Sequence, residues 1–364
     1  MEETLLGGLS PQVFLRRYWQ KRPLLVRGAL PGFRGVIEKP ALFSLAARDE
    51  VESRLVERRG KKWRVEHGPL SRNRLARTAA RNWTLLVSGV NCHSDAADRL
   101  LRRFSFIPQA RLDDVMVSYA APGGGVGPHV DSYDVFLVQG AGRRRWRIAR
   151  PRKFASIAGA PLKLIAGFKA DEEMLLEPGD LLYLPPGWGH DGVALDTCVT
   201  CSVGFRAPGG AELAAAFLDY LHERGLPDAG YRDPDLRATR RPAQIGGEMN
   251  AFAEKLLARI AWRKSDVLDF MGRYLSTPKP NVVFPASKRK FPAGRLVQLN
   301  PKTQMLYSGA RFFINGESFV PRAAQRAALR QLADRRQAPG PTLARAGLQD
   351  LISDWQRAGY LTLT

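Results

Sequence analysis

Two short runs hold the residue types that could do chemistry. Pro-Gly-Gly-Gly-Val-Gly-Pro-His-Val-Asp at 122–131 contributes His129 and Asp131, and Glu-Pro-Gly-Asp-Leu-Leu-Tyr-Leu-Pro-Pro-Gly-Trp-Gly-His at 177–190 ends in His190. Side chains on extended backbone repeat with period two, so His129 and Asp131 project from the same face. One further imidazole from a later strand completes a set of two His and one carboxylate. That set covers one face of an octahedral metal and leaves three positions open. It suits Fe(II), while Mn, Co or Ni can occupy such a site in vitro. A lone His on a strand is usually a satisfied core residue; the pairing of both halves, in this chain order, is what points to a metal.

A second feature lies between them. The strand-like run Arg143–Ile148 alternates, with Arg144, Trp146 and Ile148 on one face and Arg143, Arg145 and Arg147 on the other. An inward Arg144 among apolar neighbours is costly unless an anion meets it, and a carboxylate does so through paired charge-assisted bonds. Arg143 and Arg145 read as solvated. The glycines at 123–127 allow close backbone approach and are not a phosphate loop, because no helix follows them.

The elements that must position these residues come next. Ser10 and Pro11 open a short helix, and a strand follows at 21–28. A helix starts at Pro40, and 51–56 with 61–68 form a hairpin turning at Arg59-Gly60. A buried strand at 83–90 precedes a helix at 94–104. Between 113 and 205 strands are expected at 114–120, 133–139, 144–149, 173–176, 180–184 and 197–205, separated by Gly and Pro turns. Many short strands with regular turns favour a barrel or sandwich, and ligands on inner faces favour a double-sheet jelly roll. Helical patterning covers 212–276 with a loop at 225–245, and its apolar faces call for the barrel or a second copy of the chain as cover. After the Pro-rich stretch at 277–280, strands at 295–299, 305–307 and 311–314, an Asn315-Gly316 hairpin turn, helices at 322–336 and 346–358 and a closing strand suggest a winged-helix-like domain.

These motifs resemble the JmjC-type 2-oxoglutarate oxygenases, in particular the bacterial ribosomal oxygenase branch. The likeness runs through Phe14–Pro23, Val51–Val56, Trp63–Pro69, Pro122–Asp131, Tyr133–Phe136, Gly142–Arg147, the run ending at His190, and Ser202–Pro208. It is dense over 10–210 and looser beyond. It implies a mainly β JmjC/cupin jelly roll at 1–208, a helical dimerisation region at 209–276 and a basic winged-helix-like domain at 277–364. It further implies His129, Asp131 and His190 as iron ligands, Arg144 on the distal carboxylate of 2-oxoglutarate and Ser118 as that cosubstrate's hydrogen-bonding neighbour. Tyr133 is the candidate to pack against the substrate side chain. The implied activity is hydroxylation of an arginine in a large-subunit ribosomal protein, using Fe(II), O2 and 2-oxoglutarate with release of succinate and CO2. The guanidinium would need a carboxylate or an aromatic face near the mouth, for which Asp113, Asp114, Tyr133 and Asp134 are the neighbours in sequence.

Composition sets bounds on this reading. The 364 residues allow two or three domains and are ordinary for a globular protein. No run of about 18 uncharged apolar residues exists, so a membrane is not expected as partner and a cytoplasmic location is. Three cysteines suit a reducing compartment, and the Cys198/Cys201 spacing lies on a strand, where the two side chains point apart. His67, His93 and His222 lack matching partners, and no Ser-His-Asp or Gly-X-Ser-X-Gly arrangement occurs. The net charge of +21, with fourteen Lys or Arg against four Asp or Glu in 277–364, points to an anionic environment such as ribosomal RNA. GC-rich coding would also raise Arg content, so charge alone names no partner. Two alternatives stay open: an oxygenase or demethylase of another basic protein or of nucleic acid, and a nucleic-acid-binding module with an inert barrel.

Overall fold

The structure, a computed structural model, describes residues 5–286 and 294–363. Helix α1 (Pro11–Arg17) begins as read: the Val13 amide donates to the Ser10 hydroxyl and Pro11 occupies the first turn. A helix's first amides have no partner inside it, and the cap supplies one. Next come β1 (Leu24–Val26), α2 (Lys39–Ala46), the hairpin β2 (Ser53–Arg59) and β3 (Lys62–His67), α3 (Arg72–Ala76), β4 (Trp83–Val87) and α4 (Asp95–Arg102), which Ser94 caps. The central region holds β5 (Leu112–Ala120), β6 (His129–Val130), β7 (Val135–Ala141), β8 (Arg144–Ala149), β9 (Glu172–Leu176), β10 (Leu181–Leu184), β11 (Gly189–Ala194) and β12 (Cys198–Phe205).

Two sheets result, one of eight strands in the order β1-β10-β7-β12-β5-β4-β2-β3 and one of four in the order β6-β11-β8-β9. Strand parity explains how the large sheet is buried on both faces. On β7 and β10, Val135, Leu137, Leu182 and Leu184 meet Trp146, Ile148 and Leu176 of the small sheet. Their alternates Phe136, Val138, Leu181 and Tyr183 join a second core that contains Phe14 of α1, Leu42 of α2, Leu75 of α3 and Leu101 of α4. Burying one such apolar side chain stabilises by about 1.5–3 kcal/mol, so a one-residue slip that turned either set outward would be expensive. The inner faces of both sheets therefore enclose the space where the chemistry-bearing residues meet.

Three elements of this region were absent from the sequence reading, as were the strand at Gln337–Pro339 and the helix at Gly340–Arg345 further on. β6 is only two residues long, β11 begins with the unpromising Gly189-His190-Asp191-Gly192, and α3 spans five residues of Arg-rich sequence. Cys198 and Cys201 are buried and unbridged, and they fall into different apolar clusters as strand parity requires.

Beyond β12 the chain forms α5 (Gly210–Glu223), α6 (Gly247–Leu257), α7 (Lys264–Ser276), β13 (Leu296–Leu299), β14 (Met305–Ser308), β15 (Arg311–Ile314), β16 (Glu317–Phe319), α8 (Arg326–Arg335), β17 (Gln337–Pro339), α9 (Gly340–Arg345), α10 (Gln349–Arg357) and β18 (Leu361–Leu363). The Asn315-Gly316 turn joins β15 to β16, both residues at positive φ. The compact units cut across the three-part division read from composition. One unit comprises Met1–Ala207 with Pro278–Thr303 and Asp334–Thr364; the other comprises Pro208–Thr277 with Gln304–Ala333. Within the second unit, Phe217, Tyr220 and Phe270 form an aromatic cluster between α5 and α7. Within the first, β13 is flanked by β17 and β18.

Candidate active site

The small sheet brings the two imidazoles together. His129 on β6 and His190 on β11 are directly paired residues of an antiparallel ladder, and their ring centroids lie 4.2 Å apart. Asp131 follows one strand period after His129, with a carboxylate oxygen 4.0 Å from His129 Nε2 and the other 3.6 Å from His190 Nε2. The donor atoms of all three residues lie within 4.8 Å of one another. Each ring's other nitrogen is engaged by backbone: His129 Nδ1 is 2.8 Å from the Gly127 carbonyl and His190 Nδ1 is 3.0 Å from that of Trp188. Carbonyl acceptors require N–H at Nδ1, which leaves the Nε2 lone pairs for a metal. Burial, then the neighbouring His129, pushes the His190 pKa down to about 4, so this imidazole is neutral and ready to coordinate.

The glycine run is a packing device. A Cβ on Gly124 would lie 2.1 Å from the Trp83 carbonyl oxygen, and Gly127 has φ of +78°. The Gly123 amide donates to the Ala194 carbonyl, and the Ala194 amide donates to that of Gly124. The loop feeding His129 is thus held against β11, the strand that carries His190.

A cavity of about 250 Å³ opens onto this face, and all of its lining belongs to one compact unit. Arg144 lines it on β8 and is only 5% exposed. Its Nη1 donates to the Ser118 hydroxyl at 3.3 Å, while Nε and Nη2 are buried with no hydrogen-bond partner among the described residues. A buried guanidinium with unsatisfied donors is destabilising unless an anion arrives, and a carboxylate matches its fork geometry. The cavity therefore fits both groups that the donor chemistry implies, a divalent metal at the His-Asp-His face and a carboxylate at Arg144.

The lining also carries Glu52, Asp113, Asp114 and Asp131 against Arg54, Arg144 and Lys279, in a chain that carries +21 overall. Lys279 reaches Asp113 at 3.2 Å and Asp114 at 3.4 Å, and Asp114 also accepts from the Gly89 amide. Burial raises the pKa of Asp114 even with that ammonium beside it. Burial alone would lower the pKa of Lys279, but Asp114 and Asp113 more than offset this and raise it. Tyr133 lines the same space, and burial followed by the Asp131 charge holds its hydroxyl protonated. Asp134 does not reach the cavity. Fully buried on the other side of the sheet, it accepts from Tyr183 Oη, Gln20 Nε2 and Arg111 Nη2. It is a structural carboxylate, as its parity opposite Tyr133 and Val135 dictates.

All six residues read from the sequence, His129, Asp131, His190, Arg144, Ser118 and Tyr133, meet in this one cavity. Glu52, Arg54 and Lys279 were missed. Glu52 and Arg54 are alternate residues at the start of β2 and could have been assigned by parity from the buried Ser53 and Leu55. Lys279, between two prolines far along the chain, gives no local signal.

The family model of the JmjC domain matches residues 99–213, and that of the ROXA-like winged helix matches 256–362. The chain is 43% identical over 250 residues to the ribosomal protein uL16 3-hydroxylase of Escherichia coli, covering 68% of this chain and 66% of that protein. It is 40% identical over 265 residues to a probable ribosomal oxygenase of Haemophilus influenzae, covering 70% and 65%. The matched stretch is thus just under two thirds of either relative's length. Among solved structures, E. coli YcfD superposes with a TM-score of 0.84 at 33% identity over 98% of both chains. A structure of YcfD, described as a ribosomal oxygenase, in complex with cobalt and 2-oxoglutarate gives 0.80, with the same identity and coverage.

Proposed function

Since the chain belongs to the JmjC-domain ribosomal oxygenases, we propose that it hydroxylates an arginine of a large-subunit ribosomal protein, consuming Fe(II)-activated O2 and converting 2-oxoglutarate to succinate and CO2. The observation that carries this reading is the buried Arg144, with two unpartnered nitrogens, in the same cavity as a His-Asp-His donor set. His129, Asp131 and His190 hold the metal. Arg144, steadied by the Ser118 hydroxyl, receives the distal carboxylate of 2-oxoglutarate. When bound, metal and oxoacid supply O2 activation and oxidation of a substrate C–H bond.

The remaining work falls to the protein. Nδ1 contacts fix both imidazoles, so the metal face is set before any ligand arrives. Trp146 and Gly125 of the glycine loop form part of the cavity wall. At the mouth, Asp114 and Asp113 present carboxylates to a guanidinium, and the Tyr133 ring packs along the side chain it belongs to. An arginine entering here exchanges its hydration for charge-assisted bonds in competition with Lys279; a neutral side chain cannot make that exchange, which is how the mouth selects. Leu218, Met249, Leu257 and Trp262 are exposed on or beside the helices of the second unit, which supports self-association as a homodimer. A ribosomal protein as substrate supports a cytoplasmic location.

The test is succinate formation by Fe(II)-loaded protein, with and without an arginine-bearing peptide of the ribosomal protein, with His129→Ala as control. Peptide-stimulated turnover and a product heavier by one oxygen atom are expected. Turnover without product would discard the arginine substrate; no turnover would discard the oxygenase.

A further inference from the structure

We propose that the β2–β3 hairpin and the segment that follows it form an RNA-binding surface at the rim of the active site; the choice of RNA rests on the reading above, that the substrate is a ribosomal protein. Residues 52–81 hold ten Lys or Arg and three Glu. The acids are already committed. Glu57 and Glu66 are bridged by Arg74 at 2.8 Å each, and Glu66 also meets Arg64 at 3.6 Å. Glu52 lines the cavity. Arg58, Arg59, Lys61, Lys62, Arg77 and Arg81 have no acidic partner among the described residues, and all but Arg58 are exposed.

These cations are gathered on one framework. Arg74 ties α3 to both hairpin strands, and the Arg58 amide donates to the Asn82 carbonyl, setting Arg81 next to Arg58. The Arg58 guanidinium lies 5.6 Å from the Trp63 ring centre. The same ring abuts Gly127, two residues before His129, at 3.0 Å from where a Cβ would sit. The hairpin is therefore anchored against the loop that carries a metal ligand. It presents its charge beside the cavity that β2 helps to line.

Like charges held this closely repel one another, and a polyanion relieves the repulsion. Charge on β3 has another use, since β3 is the free edge of its sheet and Lys or Arg there discourages strand addition. Edge protection does not explain Arg58, whose residue pairs with β3 on one side and whose amide bonds to Asn82, or Arg77 and Arg81 beyond the hairpin. A ribosomal protein's surroundings are RNA, whose regularly spaced phosphates match a cluster of cations without any base readout. A neighbouring RNA segment gripped here would bring the substrate loop to the mouth.

The experiment compares full-length protein with an Arg59→Glu/Lys61→Glu/Lys62→Glu variant, whose altered side chains are all exposed. Anisotropy of a fluorescein-labelled RNA hairpin is followed as salt is raised, and hydroxylation of the free peptide is measured separately. The variant is expected to bind RNA at least about 10-fold more weakly and to show a log–log salt slope shallower by about 2 to 3, as loss of three phosphate contacts requires. Its peptide hydroxylation should equal that of the parent. Equal RNA binding by both proteins, or parent binding indifferent to salt, would overturn the proposal. Displacement of the RNA by polyglutamate at matched charge would assign the surface to acidic proteins and overturn it too. Salt-dependent RNA binding lost in the variant, with no peptide hydroxylation by either protein, would uphold the surface and sink the substrate reading.

Discussion

The two ends of the cavity are built on opposite principles. At the metal face the protein satisfies itself: both Nδ1 atoms meet backbone carbonyls, and the three donor groups converge. At the Arg144 end the protein leaves itself unsatisfied, with a buried cation whose Nε and Nη2 lack partners. The first end is organised by folding and the second is completed by binding. The difference teaches where the protein's stability is held back for its ligand, and it predicts that damage at the two ends will look different. Asp131→Ala should give the largest effect. Removing the carboxylate leaves two imidazoles and breaks the set proposed to hold Fe(II), so succinate formation should fall to background. Metal content after desalting should fall with it, and metal content kept at parent level would break the comparison at its first end.

Arg144→Met sharpens the contrast. It removes an unpaired buried charge, so the ligand-free protein should become more stable by about 1–3 kcal/mol in urea unfolding, where Asp131→Ala should not. The same variant should lose two charge-assisted bonds to the oxoacid, raising the KM for 2-oxoglutarate about 10- to 100-fold. The parent's stabilisation by 2-oxoglutarate, about 2.7 kcal/mol at a hundredfold excess over Kd, should disappear. A variant less stable than the parent would show that Arg144 is already compensated in the free protein.

Much of this arrangement was legible in the sequence because it follows from strand parity. His129 with Asp131 and Arg144 with Trp146 are consequences of period two; Arg143 is exposed as expected, while Arg145, expected in solvent, is half-buried with its Nε enclosed. The caps at Ser10 and Ser94 and the turn at Asn315-Gly316 were equally local, and equally readable. What escaped was what locality cannot supply. β11 is stabilised by its pairing with β8 and β6, not by the propensity of Gly189-His190-Asp191-Gly192, so tertiary context decides it. Asp134 was grouped with Asp113 and Asp114 by nearness in sequence, and parity sends it to the other side of the sheet. Lys279 reaches the mouth from 165 positions beyond Asp114, a distance no local pattern spans.

Asp114→Asn probes the mouth, where the effect should be smaller than at either end. A neutral amide keeps the shape but gives up the charge offered to the guanidinium, so the KM for the arginine peptide should rise about 10-fold while that for 2-oxoglutarate stays unchanged. A matching rise for both would mean that Asp114 supports the cavity as a whole and does not receive the substrate.

Lys279→Ala should give the smallest change and the most informative sign. Lys279 now holds Asp113 and Asp114 in the position proposed for the substrate's guanidinium, with its own side chain 40% exposed. An ion pair so open to solvent contributes about 0.2–1 kcal/mol, which sets the scale of its competition. Removing it takes the ammonium from Asp114 and leaves Asp113 with Arg206 at 3.6 Å, so the peptide KM should fall by about 2- to 5-fold with kcat unchanged. The exposed partner costs little to lose, but Asp114 is then buried without its ammonium, so a small loss of stability should accompany the tighter binding. Lys279 would thus stand in for the substrate as the unsatisfied Arg144 stands ready for the cosubstrate, one end of the cavity filled by the chain itself and the other left open. A rise in peptide KM would instead make Lys279 part of the surface that holds the incoming loop.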